Sequence, residues 1–97
     1  MTDAQLLAML KIDIGFRSSG NRAIDDRLTQ LIQAAEKYIK AEGATTLDRN
    51  NIDDAQLIVM YAAWLWRRRD TQDDMPRMVR YAINNRVFAE KMEASGS

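Results

Sequence analysis

Three pairs of adjacent aspartates, Asp25-Asp26, Asp53-Asp54 and Asp73-Asp74, are the residues whose type could do acid–base or metal chemistry. Carboxylates do such work when two of them converge on one site. Neighbours in sequence do not share a helix face, and acids gather at helix starts because the first amides carry partial positive charge. The pairs therefore read as helix-start acids. The chain has no histidine and no cysteine. That removes the commonest general base, the thiol nucleophile, thiolate zinc ligands and disulfides. No glycine-rich phosphate loop or nucleophile elbow is present. No catalytic, metal or cofactor site is expected, and the chain is not expected to be an enzyme.

Two clusters could bind rather than catalyse. Arg67-Arg68-Arg69, continued by Arg77, Arg80, Arg86 and Lys91, could meet phosphates or an acidic partner. The same arginines could equally be a solvated helix end neutralised by Asp70, Asp73 and Asp74, and both readings stay open. Tyr61, Trp64 and Trp66 could stack bases, but a continuous apolar run around them favours core or interface. Asn84-Asn85 lies inside a helical pattern where asparagine is a poor helix former. Hydrogen bonding across a helix–helix contact is its best physical account.

The elements that position these residues centre on Leu57-Ile58-Val59-Met60-Tyr61-Ala62-Ala63-Trp64-Leu65-Trp66. This run is too short to span a bilayer. Asp53 before it and arginines after it predict a helix from about Asp53, as N-cap, to Arg69. Trp64 and Trp66 point to nearly opposite sides, so this helix needs cover all round. Upstream, Ile24, Leu28, Leu31, Ile32, Ala35 and Ile39 form one helical stripe, with Gly43 where a C′ glycine belongs. A first short helix starts at Thr2, with Gln5 completing a capping box, and ends at Lys11. A polar surface loop is expected over Arg17-Ser18-Ser19-Gly20-Asn21. After the break at 70–74, Met75-Pro76 opens a fourth helix running to about Met92. Met78, Tyr81, Ala82, Asn85 and Ala89 make one strip on it, and Val79, Ile83 and Val87 a second. Two strips imply more than one packing surface. Residues 93–97 read as a frayed, disordered tail.

The bulk numbers bound the rest. With 97 residues, 46% hydrophobic and 29% charged, the chain is one domain with a modest core. Fourteen basic and fourteen acidic side chains cancel, so no global field steers it to nucleic acid or membrane. Residues 67–97 carry 7 basic and 5 acidic side chains, too small an excess to argue DNA binding. Met1-Thr2-Asp3 starts acidic, so no secretory signal is expected. The fold expected is all-α: a small bundle of about four helices, with more apolar surface than one copy hides.

The stretches Tyr61-Ala62-Ala63-Trp64-Leu65-Trp66-Arg67-Arg68-Arg69 and Met75-Pro76-Arg77-Met78-Val79-Arg80-Tyr81-Ala82-Ile83-Asn84-Asn85-Arg86 carry a resemblance. With Leu10-Lys11-Ile12-Asp13-Ile14-Gly15, the Ile24–Gly43 segment and Leu47-Asp48, they resemble the head–tail connector family of tailed phages and prophages. These small helical proteins are also labelled DNA-packaging proteins. The resemblance covers almost the whole chain. It implies a virion protein at the head–tail interface, assembled in the host bacterial cytoplasm. Copies would form a ring, twelve-fold in the virion, beneath the portal protein. The ring would extend the DNA channel, help retain packaged DNA and dock the stopper or tail-completion protein. DNA would pass through without sequence-specific binding, and neither membrane nor cofactor is implied. Helices two and three should then form the protomer core through Ile24, Leu28, Leu31, Ile32, Ala35, Ile39, Leu57, Ile58, Tyr61, Trp64 and Leu65. Ring or portal contacts are expected on Arg67, Arg68, Arg69, Arg77, Met78, Arg80, Tyr81, Asn84 and Asn85. The rival reading is a small helical DNA-binding packaging or regulatory protein with Arg77, Arg80 and Arg86 on a recognition helix. Zero net charge speaks against it.

Overall fold

The computed structural model describes residues 1–15, 21–68 and 74–96. Four helices run in order: α1 (Asp3–Ile14), α2 (Arg22–Ala41), α3 (Ile52–Arg67) and α4 (Arg77–Gly96). The described residues contain no strand. None of their helices is long and apolar enough to cross a membrane. Most of the expected loop at 17–21 and of the break at 70–74 lies outside the described residues, as does Arg69.

The helix ends follow from local hydrogen-bond chemistry. Thr2 Oγ1 accepts from the Gln5 amide at 3.2 Å while Gln5 Oε1 accepts from the Thr2 amide at 2.8 Å, the reciprocal capping box. The expected end of α1 at Lys11 is too early, because nothing at Ile12 or Asp13 breaks a helix. The chain turns out only at Gly15, whose φ of 72° costs a glycine little. The extra turn leaves Ile12 in solvent. α3 begins earlier than expected. Its N-cap is Asn51, not Asp53: Asn51 Oδ1 accepts from the amides of Asp53 and Asp54 at 2.9 and 3.2 Å. Asp53 and Asp54 are thereby placed in the first turn. α4 continues four residues past the expected end at Met92, since Glu93 and Ala94 are good helix formers and no proline intervenes.

α2 ends as its sequence predicts. The Gly43 amide donates to the Lys40 carbonyl at 3.1 Å and the Ala44 amide to the Ile39 carbonyl at 3.3 Å. This is a Schellman closure, with buried Ile39 and Ala44 as its apolar contact. Gly43 has φ 131°, and a Cβ there would stand 2.8 Å from Val87 Cγ1 of α4. One glycine thus closes α2 and admits α4. Gly43→Ala should cost about 1–3 kcal/mol from backbone strain and crowding, read as a lower urea midpoint. An unchanged midpoint would mean that α4 does not approach this turn.

α3 is the central helix and packs against α1, α2 and α4, while α1 and α2 also pack on each other. Leu6 and Leu10 of α1, the α2 stripe from Leu28 to Ile39, and Ala55, Leu57, Ile58, Tyr61, Ala62 and Ala63 of α3 form the buried core. Ile24, Trp64 and Leu65, expected in that core, are half-buried at its edge. Arg49, in the α2–α3 connection, ties three segments together. It donates to Asp3 of α1 at 2.6 Å and to Glu36 of α2 at 2.7 and 3.1 Å. The cover expected all round α3 is incomplete, because Gln56 and Met60 reach the surface.

Candidate functional site

α4 has an inner and an outer face, and its chemistry differs sharply between them. Val79 and Ile83 are buried against the core, with Ala82 and Val87 half-buried beside them. Three charged residues lock the helix down, Arg86 and Glu90 from the same side as Val79 and Ile83 and Arg80 from beside it. Arg86 Nε donates to Asp54 Oδ1 at 2.7 Å and Nη2 to Asp54 Oδ2 at 3.3 Å. Asp54, 6% exposed, also accepts from the Asp48 amide at 3.0 Å. Glu90 takes four donors: the amide and hydroxyl of Thr45 at 3.0 and 2.8 Å, and those of Thr46 at 2.7 and 2.6 Å. Arg80 donates to Glu42 at 2.9 Å and to the Tyr38 hydroxyl at 3.0 Å. The expected DNA-reading or portal-facing arginines are thus divided. Arg80 and Arg86 are engaged within the protomer, and Arg77 remains exposed without an ion pair among the described residues.

The Glu90 anchor sets a pH dependence. The Thr46 hydroxyl and amide, then the donors of Thr45, hold its carboxyl down at about 2 against an ordinary 4.5. The unfolded chain therefore binds this proton first. The stabilisation is complete above pH 4.5 and is lost as pH falls toward about 2. Amide exchange in α4 should accelerate over that acid window, and Glu90→Gln should remove part of the pH dependence, the rest staying with Glu42, which Tyr38 and Arg80 also hold low. Equal acid sensitivity in the variant would contradict the assignment.

The outer face is apolar. Met78 is 77% exposed, Phe88 63%, and Tyr81 and Met92 more than half. Asn85 stands between them, exposed. Positions 78, 81, 85, 88 and 92 repeat as three, four, three, four, the spacing of a coiled-coil seam. Of the strip expected from sequence, Ala82 instead flanks the inner face. Phe88 and Met92 were missing from the expected contact set, although the three–four spacing reaches them. Asn84 and Asn85 make no side-chain hydrogen bond among the described residues, so the cross-helix bond expected for them does not form within one protomer.

A second apolar face lies elsewhere. α1 and α3 frame a groove of about 410 Å³ lined by Met9, Ile12, Asp13, Gln56, Val59 and Met60. Ile12 is 82% exposed at its lip. Nothing in the sequence periodicity flagged this groove, because the exposure of Ile12 depends on how far α1 runs.

Arg67, Arg68, Tyr61 and Trp64 have partners inside the chain. Arg67 donates to the Asp13 carbonyl at 3.1 Å, with its carboxylate at 3.8 Å. The Arg68 guanidinium lies 5.1 Å from the centre of the Trp64 ring, a cation–π arrangement. Tyr61 stacks on Tyr38 at 4.7 Å and meets Trp64 edge-on at 5.4 Å. Burial pushes the Tyr61 hydroxyl up. These rings are arranged as core and core edge rather than as an open stacking platform. Asp25 pairs with Lys11 at 2.6 Å, and Asp53 is exposed while Asp54 is buried. Among the described residues no three acidic side chains converge to hold a metal ion.

Compared with known protein families, with characterised proteins and with solved structures, the chain matches none.

Proposed function

We propose that this chain is a structural head–tail connector of a tailed phage or prophage, acting as a ring bound to the portal protein. The observation that carries the reading is the outer face of α4. Its inner face is pinned by Asp54, Thr45, Thr46 and Glu42, so the helix does not roll to bury Met78, Tyr81, Phe88 and Met92. A contiguous apolar strip held in solvent by ion pairs calls for a macromolecular partner. The resemblance of the 61–69 and 75–86 stretches to connector proteins supplies the class of partner. In this reading copies surround a DNA channel, help retain packaged DNA and present a docking surface for the stopper. DNA passes without base readout, and the protein resides in the virion after assembly in the host cytoplasm.

Arg67 and Arg68 hold α1 and Trp64 in the protomer. The contact that builds the ring on the portal is therefore assigned first to α4, with these two arginines at its periphery. The test is particle mass by light scattering, for the protein alone and mixed with the portal encoded beside it. A gain of many copies per portal ring is expected. No gain, together with salt-steep binding of the folded protein to DNA, would replace this reading with the DNA-binding one.

A further inference from the structure

We propose that neighbouring copies join head to tail, the outer face of α4 on one copy seating in the α1–α3 groove of the next. The proposal rests on the ring-forming reading above and names the two surfaces that would meet. Two apolar faces on one chain, formed by different helices, are what a heterologous contact requires, whereas a two-fold contact needs only one. The seam from Met78 to Met92 is about 21 Å long, and the groove is lined by about one turn each of α1 and α3, residues 9–13 and 56–60, so it takes the side chains at the middle of the seam. A helix with three–four apolar spacing fills a groove between two helices.

Their charges also correspond. Arg77 and Lys91 flank the seam near its two ends, exposed and without ion pairs among the described residues. At the groove, the Asp13 carboxylate stands 3.8 Å from the Arg67 guanidinium, which donates instead to the Asp13 carbonyl at 3.1 Å. Asp53, exposed without an ion pair among the described residues, lies just outside that groove, in the neighbouring cleft that shares Gln56 and Met60 with it. Cations on one face thus meet carboxylates on the other. Pairing α4 with a second α4 meets no such complement. Antiparallel, it would bring Arg77 and Lys91 toward each other. Parallel, it would set them beside Ala82 and Ala89, and in both cases Ile12 and the groove stay open to water. Asn85, in the middle of the seam, would then fix the register by bonding to a polar group such as Gln56 at the groove rim.

The absence of cysteine makes the test clean. Single-cysteine variants Met60→Cys, Phe88→Cys and, as a control on exposed α2 surface, Lys37→Cys are each checked for an unchanged melting curve. They are then oxidised alone and in pairs, with and without portal. The 60–88 pair should link about tenfold or more faster than any pair containing residue 37, since contact raises the effective thiol concentration. Phe88→Cys linking to itself as fast as to Met60→Cys would overturn the proposal in favour of a two-fold contact. No 60–88 linkage above the control in either condition would also overturn it. Portal binding is read separately by mass, so portal addition with the wrong linkage removes this inference and leaves the connector reading. The 60–88 linkage without portal addition does the reverse.

Discussion

Arg86→Met should destabilise the protein by about 3 kcal/mol, among the largest effects of any single change outside the apolar core. Asp54 is 6% exposed, and its salt-bridge partner is Arg86, whose side chain is itself only one-fifth exposed. Removing the guanidinium leaves a buried carboxylate with the Asp48 amide as its remaining donor. It also removes the bond from Arg86 Nη2 to the Thr46 hydroxyl at 3.1 Å, loosening the turn that Glu90 grips. The penalty comes mostly from stranding a charge, not from losing an attraction. Asp54→Leu combined with Arg86→Met should therefore recover much of the loss. For a chain of this length the single variant should melt more than about 10 °C lower. Trp64 and Trp66 report the transition, since both sit on α3. A loss below about 1 kcal/mol would mean that the pair does not hold α4.

The second large effect separates assembly from folding. Phe88→Asp, with Tyr81→Asp as a parallel variant, places a charge in the middle of the outer seam, where both rings are more than half exposed. The protomer loses only the partial cover of these rings, so its stability should stay within about 1 kcal/mol of the parent. A buried aromatic at the centre of a contact typically contributes 2 kcal/mol or more, so addition to the portal should weaken by about thirtyfold or beyond. Folded protein that still adds to the portal with parental affinity would move the contact off α4.

These effects show which parts of the molecule sequence can carry. The α2 stripe was legible because 3.6-residue periodicity survives on a helix with one buried side. Thr2 with Gln5, and Gly43, were legible because caps are local chemistry. Asn51 and Asp53 are not told apart by type, because both residue types cap helices. The choice lies in which backbone is extended, and that is set by the turn at Asp48, whose carboxylate accepts from the Asn50 amide at 2.9 Å. The Asp54–Arg86 lock was illegible, since 32 residues separate its partners and each half looks like an ordinary helix charge.

The two strips on α4 were both visible in sequence. Which one faces inward was not, because that depends on where Val79 and Ile83 find a core to enter. The same information assigns Arg80 and Arg86 to the inside. It leaves Phe88 and Met92 as the C-terminal half of the outer seam. The groove at Ile12 follows from one extra turn of α1, a boundary that no periodicity resolves.

The proposed role of this helix face is to build a ring on a portal. Electron microscopy of the portal mixed with this protein tests it most directly. An added layer of density is expected at one end of the portal, with rotational symmetry about the channel axis, present for the parent chain and absent for Phe88→Asp. Unchanged portal particles in the presence of excess folded parent protein would contradict it.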